Sequence, residues 1–235
     1  MTRLSDASRR AELGTETSMK SAITLENAIA MIPDGATLMI GGFFGVGTPR
    51  RLIQGLVSAG RTNLTVIAND TSFPGIAIGN LIANRMIRRL VASHIGANPE
   101  TQQQMIAGEL EVELVPQGTL AERIRAGGFG LGGVLTKTGL GTLVEQGKRT
   151  IEISGETWLL ETPLRADFAL IHAQQADHFG NLTYEFTAQN FNPVMATAAA
   201  TVIVEAEEIV PVGAIPPDAV RTPGILVHFL LESRP

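Results

Sequence analysis

The sequence contains no cysteine. Disulfide scaffolds, thiolate nucleophiles, iron–sulfur clusters and cysteine-based zinc sites are thereby excluded. Aromatic residues are scarce, at 5% with one tryptophan and one tyrosine, which argues against a surface that stacks nucleic-acid bases. Positive charge is in deficit. Eighteen Lys and Arg against 23 Asp and Glu give a formal net charge of −5, unlike a binder of phosphate backbones. Long apolar runs are also missing. The longest stretch without charge or proline, Gly35 to Thr48, is broken by glycines and is shorter than the about 20 residues of a membrane span. The four histidines, His94, His172, His178 and His228, include no pair four apart and no carboxylate cluster at ligand spacing, so no metal site is expected. No secretory signal is visible. Arg3, Arg9 and Arg10 are mixed with Asp6, Glu12 and Glu16, unlike an acid-poor transit peptide, and a cytoplasmic location is expected.

What is present is the composition of a folded globule, 44% hydrophobic and 17% charged over 235 residues. That length allows one large domain or two small ones. Residues 1–20 lack apolar periodicity and are read as a flexible tail, with Met19 as an alternative start. Residues 21–235 are read as one domain. Strand-like runs at Thr37–Ile40, Leu64–Ala68, Arg89–Ala92 and Glu111–Val115 alternate with helix-like runs at Pro49–Val57, Gly75–Ala83 and Pro99–Ala107. Thr24 opens an earlier helix, and Thr119–Ala126 forms a later one. Helix-length crossovers between short buried strands predict an α/β fold: an open, mostly parallel sheet with helices on both faces. Ile151–Leu160 reads as two strands about a Ser154-Gly155 turn, a small β-hairpin excursion. Asp167–Ala173 and Ala200–Glu205 read as further strands.

The sharpest motif runs from Asp34 to Pro49: a turn, the strand Thr37–Ile40, a loop with Gly41, Gly42, Gly45 and Gly47, and a helix start. Thr48 suits an N-cap and Pro49 the first helical position. Glycines let backbone amides approach a ligand, and a helix start adds positive potential. Such a loop can cradle an anion or a pantetheine chain, or simply make a tight turn. Two nucleotide motifs fail. The loop at Gly41 lacks G-x-G-x-x-G spacing, and Gly128 to Gly133 has it but follows a helix. Gly141 to Lys148 has one residue too many for a phosphate loop and continues with Arg149. A dinucleotide-dependent oxidoreductase is therefore unsupported.

Asp34-Gly35, the trio Leu38-Met39-Ile40, Gly41-Gly42-Phe43 and Gly47-Thr48-Pro49 together resemble the signature of family I coenzyme A transferases. Ile67–Thr71 is similar to the family's Asn-containing loop. The stretches Gly108–Gly128, Thr136–Thr142 and Ala188–Pro193 are also family-like, so the resemblance extends from about Thr24 to the C-terminus. It is to the α subunit of the two-subunit enzymes. Ala68–Thr71 and Ser93–Glu100 lean towards the acetate/acetoacetate type, with the succinyl-CoA:3-oxoacid and 3-oxoadipate types as alternatives.

The resemblance implies ping-pong catalysis in which a Glu carboxylate attacks the acyl-CoA thioester. It places that Glu in the β subunit, in a Ser-Glu-Asn-Gly-like context. The only Glu-Asn here, Glu26-Asn27, precedes Ala28 inside a predicted helix. No catalytic nucleophile is therefore expected in this chain, which should be inactive without a β subunit, in an α2β2 assembly by family analogy. Coenzyme A enters as substrate, with no tightly bound cofactor, nucleic acid or membrane implied. By the same resemblance Gly41, Gly42, Phe43, Phe44, Gly45, Val46 and Gly47 form the CoA-binding segment. Gln117 is the family's active-site Gln, with Asn69 and Asp70 as further substrate-positioning residues, and Gly127, Gly128 and Gly130 lie in a mobile loop near the site. A non-catalytic CoA-binding interaction subunit is the alternative from another class.

Overall fold

The computed structural model describes residues 19–233. The expected flexible tail lies outside the described residues as far as residue 18. Lys20 is already docked: its backbone N–H donates to the His178 carbonyl at 2.6 Å and its Nζ to the Phe179 carbonyl at 3.0 Å.

Helix α1 (Leu25–Ala30) starts where Thr24 accepts the Asn27 N–H on its hydroxyl, at 3.2 Å, the sequence-predicted cap. There follow β1 (Thr37–Ile40), α2 (Arg50–Ser58), β2 (Leu64–Asp70), α3 (Ile78–Ala83), β3 (Ile87–His94), α4 (Pro99–Ile106), β4 (Glu111–Leu114) and α5 (Gln117–Gly128). Then come β5 (Val134–Thr136), β6 (Thr150–Ile153), β7 (Glu156–Glu161), β8 (Ala166–Asp177), β9 (Leu182–Thr183), α6 (Asn192–Ala196), β10 (Ala199–Val210) and β11 (Phe229–Glu232). Seven parallel strands form the main sheet in the order β11-β10-β8-β1-β2-β3-β4, and β9 pairs antiparallel with β8.

Successive strand residues point to opposite faces, and both faces of this sheet are covered. Leu38, Ile40, Val66 and Leu90 pack with Ala28, Leu52 and Leu81 from α1, α2 and α3. Met39, Ile67, Val91 and Val202 pack on the other side with Leu120 and Ile124 of α5 and Met195 of α6. Two-sided burial explains why the strands read as continuous apolar runs rather than alternating ones. The fold class is the one expected.

The predicted hairpin is present, with Ser154 (φ 52°) and Gly155 (φ 78°) as the central residues of a two-residue turn. It is larger than expected, because β5 adds a third antiparallel strand. The start of α2 also departs from expectation. Pro49, not Thr48, holds the cap position, with no side-chain cap. Thr48 is buried against Gly42, where a Cβ would overlap its hydroxyl. The orphan Leu52 amide instead donates to the Glu205 carboxylate of β10, at 3.0 Å. This cap comes from a distant strand, so no local motif announces it.

Candidate active site

The Gly-rich segment leaves β1 at the carboxyl end of the sheet, where ligands bind in open α/β folds. Phe43 and Val46 exchange backbone hydrogen bonds of 3.0 and 2.9 Å. They close a turn over Phe44 (φ 48°) and Gly45 (φ 85°), both left-handed as such a turn requires. A phenylalanine there is strained. Its amide donates to Asp70 Oδ2 at 3.0 Å, and its ring stacks on Phe73 and meets the edges of Phe43 and His94. Two asparagines clamp the rest. Asn190 accepts the Gly42 N–H and donates to the Val46 carbonyl, both at 3.1 Å. Asn192 donates to the Gly47 carbonyl at 2.9 Å and accepts the His172 N–H at 3.1 Å.

This bonding alters the expected amide cradle. The amides of Gly41, Gly42, Phe43, Phe44 and Val46 all donate within the chain. Among the described residues only those of Gly45 and Gly47 in this segment have no partner. What the segment presents outward is apolar, with Phe43 40% and Val46 48% exposed. That surface matches the pantetheine alternative better than the anion one.

Asn69 and Asp70 end β2 and are buried, at 1% and 4% exposure. Gln117 begins α5, behind Pro116, and caps nothing. The three converge. Gln117 Nε2 donates to Asn69 Oδ1 at 2.6 Å, and Asn69 Nδ2 donates to Asp70 Oδ2 at 2.7 Å. Ser93 Oγ supports Asn69 at 2.9 Å, and Asp70 Oδ1 accepts the Ser72 N–H at 2.7 Å. Since Asp70 also holds the Phe44 amide, one hydrogen-bonded chain joins Gln117 to the Gly-rich turn. Beside it lies an open cleft of about 700 Å³, lined by Phe43, Gln117, Arg125, Asn190, Phe191 and Val194 among others.

Gly127 and Gly128 are not loop residues, contrary to the expectation from sequence. They form the last turn of α5, and a Cβ on either would overlap backbone or side-chain atoms at Leu164 or Thr197. Gly130 (φ 71°) alone of the three lies in a turn, with open space about it. Glu26, of the one Glu-Asn pair in the sequence, is exposed in the first turn of α1. Hydrogen bonds from its own backbone amide and from Thr24 hold its carboxyl below the usual range.

Sequence reasoning assigned no role to Asn190, Asn192, Ser93 or Phe73, all of which shape this site. The Asn190-Phe191-Asn192 spacing was the available signal, two carboxamides on either side of an aromatic residue. Behind the Gly-rich segment, His172 Nε2 lies 2.9 Å from Glu207 Oε1. Burial raises the neighbouring Glu205 carboxyl, against the backbone N–H bonds from Leu52 and Arg51 that lower it. His228 Nδ1 accepts the Val202 N–H at 3.0 Å, a structural role. No described helix is long and apolar enough to cross a membrane.

The chain is 53% identical over 212 residues to the acetate CoA-transferase subunit alpha of Escherichia coli K12, covering 90% of this chain and 96% of that one. It is 53% identical over 210 residues to the acetoacetyl-CoA:acetate/butyrate CoA transferase alpha subunit of Clostridium acetobutylicum, covering 89% and 96%. Its fold superimposes on an acyl-CoA transferase from E. coli O157:H7, solved as a thioester complex with CoA, with a TM-score of 0.82 at 22% identity. That likeness covers 91% of this chain but 47% of the solved one. The coenzyme A transferase family matches residues 22–233, and the chain belongs to that family.

Proposed function

We propose that this chain is the α subunit of a CoA-transferase that moves CoA between an acyl-CoA and a short-chain carboxylate of the acetate/acetoacetate kind. The carrying observation is the hydrogen-bonded chain from Gln117 through Asn69 and Asp70 to the Phe44 amide. It fixes a side-chain amide that lines a cleft to the segment assigned to CoA. Gln117 Nε2 has one N–H engaged by Asn69 and a second available to a carboxylate or a developing oxyanion. Phe43 and Val46 give the pantetheine arm an apolar wall.

The nucleophile belongs to a β subunit. Its Glu carboxylate oxygen attacks the thioester carbonyl, the C–S bond breaks, and CoA leaves as thiolate from an acyl-glutamyl anhydride. The thiolate then attacks the glutamyl carbonyl, expelling the first carboxylic acid as its anion and leaving a glutamyl-CoA thioester. The second carboxylate reverses both steps. An α2β2 stoichiometry and a cytoplasmic location complete the reading, together with a single folded domain from residue 21 onward.

The test is co-expression with the β subunit, followed by assay with acetyl-CoA and acetoacetate. The expected outcome is activity in the complex and none in the isolated α chain. Gln117→Ala in the complex should lower kcat/KM by about 10²-fold. Activity of the α chain alone, or an unaffected Gln117→Ala enzyme, would refute the respective assignment.

A further inference from the structure

We propose that Arg125 holds a second anionic group of the substrate, about two turns of α5 along the cleft wall from the carboxylate assigned to Gln117. This rests on the transferase reading above and extends it to substrate recognition. Helix α5 lines one wall of the cleft with Gln117, Gly118, Ala121 and Arg125. Arg125 is the one charged residue among the lining residues; the rest are neutral and mostly apolar. A lone cation over such a surface is a place for an anion.

The guanidinium is available. Its partner among the described residues is Glu122, which Nε meets at 3.2 to 3.3 Å. Both side chains are half exposed, and such a surface pair has little net worth. The remaining guanidinium donors form a fork that matches carboxylate and phosphate oxygens.

The spacing makes this anion a second one. Eight residues at 1.5 Å put Arg125 about 12 Å along the helix from Gln117. Helical side chains lean toward the N-terminus, and the Glu122 contact shows that lean here. Gln117 lies on the same helix and leans the same way, so the two heads stay about 10 Å apart. One carboxylate spans only about 8 Å between two hydrogen-bond donors. Two sources supply the second anion: the distal carboxylate of a dicarboxylic acyl group, or a phosphate of CoA.

The assembled α–β enzyme provides the test. Arg125→Gln should raise one KM by about ten- to a hundredfold with kcat little changed, and Arg125→Lys should recover part of the loss. Glu122→Gln, by releasing the guanidinium, should lower the same KM. If the anion is a phosphate, the penalty disappears with an acyl-pantetheine donor. If it is a carboxylate, the penalty is present with succinate and absent with acetate. Unchanged KM values in Arg125→Gln, a fall in kcat alone, or weakened subunit association with normal KM values would overturn the assignment. An inactive wild-type complex would sink the transferase reading itself, whereas an active one with an indifferent Arg125→Gln variant sinks only the role of Arg125.

Discussion

Residues 41–47 hold four glycines and residues 127–141 hold seven, and the glycines serve different ends in the two stretches. In the first, Gly42, Gly45 and Gly47 have positive φ, and a Cβ on Gly41, Gly42 or Gly47 would strike Asn192, Thr48 or Ala188. The whole segment is held against those neighbours by the neutral carboxamides of Asn190 and Asn192. In the second, Gly127 and Gly128 let α5 approach the chain at Leu164 and Thr197, while Gly130, Gly132 and Gly141 face open space. Ion pairs secure this region. Arg123 bonds Glu113 at 2.6 Å and the Thr162 carbonyl at 2.8 Å, and Lys148 bonds Glu161 at 2.5 Å. Glycine content therefore says little by itself; what a Cβ would meet separates a close approach of chain segments from a turn in open space.

The largest effect expected is from Gly127→Ala. The obstacle is the Leu164 backbone carbonyl, which cannot swing aside. Overpacking there should cost about 3 kcal/mol or more, read as a large fall in Tm. Gly41→Ala meets instead the end of the Asn192 side chain. Its stability cost should be smaller, about 1–2 kcal/mol. Because Asn192 also holds Gly47, displacement of the segment should lower kcat/KM of the assembled enzyme by about 10²-fold. A Gly127→Ala variant with normal Tm and poor activity would reverse the comparison. Gly130→Ala is milder still: a left-handed alanine in open space costs about 1 kcal/mol, or about 2–4 °C in Tm for a chain of this size. A loss of activity in that variant would return Gly130 to the active site.

The strand and helix alternation was legible because the central strands β1 and β2 are short, buried on both faces and followed by glycine- or proline-bearing turns. Thr24 marked its helix because the cap is local. The Glu205 cap was not legible, since it joins residues 153 positions apart. Each predicted positioning residue was named singly, by resemblance. Their bonding to one another depends on β2 and β3 lying side by side with α5 returning above them, which no local pattern encodes. The amide cradle is narrower than the four glycines suggest, for a related reason. Four glycines announce accessible amides, but whether those amides are free depends on Asp70 and Asn190, supplied from elsewhere in the fold.

The smallest expected effect separates the two stretches by pH. Glu113 is partly buried, which raises its carboxyl, but hydrogen bonds and charge from Arg123 and Arg89 outweigh burial and hold it below 4.5. A folded-state value below the unfolded one gives stability that is fully present above pH 4.5 and lost as pH falls through the folded value. Glu205, beneath the helix that follows the Gly-rich segment, has the opposite sign. Burial raises it above 4.5, so its contribution is fully present below 4.5 and lost as pH rises through the folded value. Acidification toward and below pH 4.5 should therefore loosen the ion-paired stretch and spare the carboxamide-clamped one. Hydrogen exchange reads this at two amides: Leu164, bonded to the Arg123 carbonyl at 2.9 Å, and Gly42, bonded to Asn190. Leu164 should lose protection first, and Glu113→Gln should remove most of the difference. Equal loss at both amides would mean that the two stretches are not held by different forces.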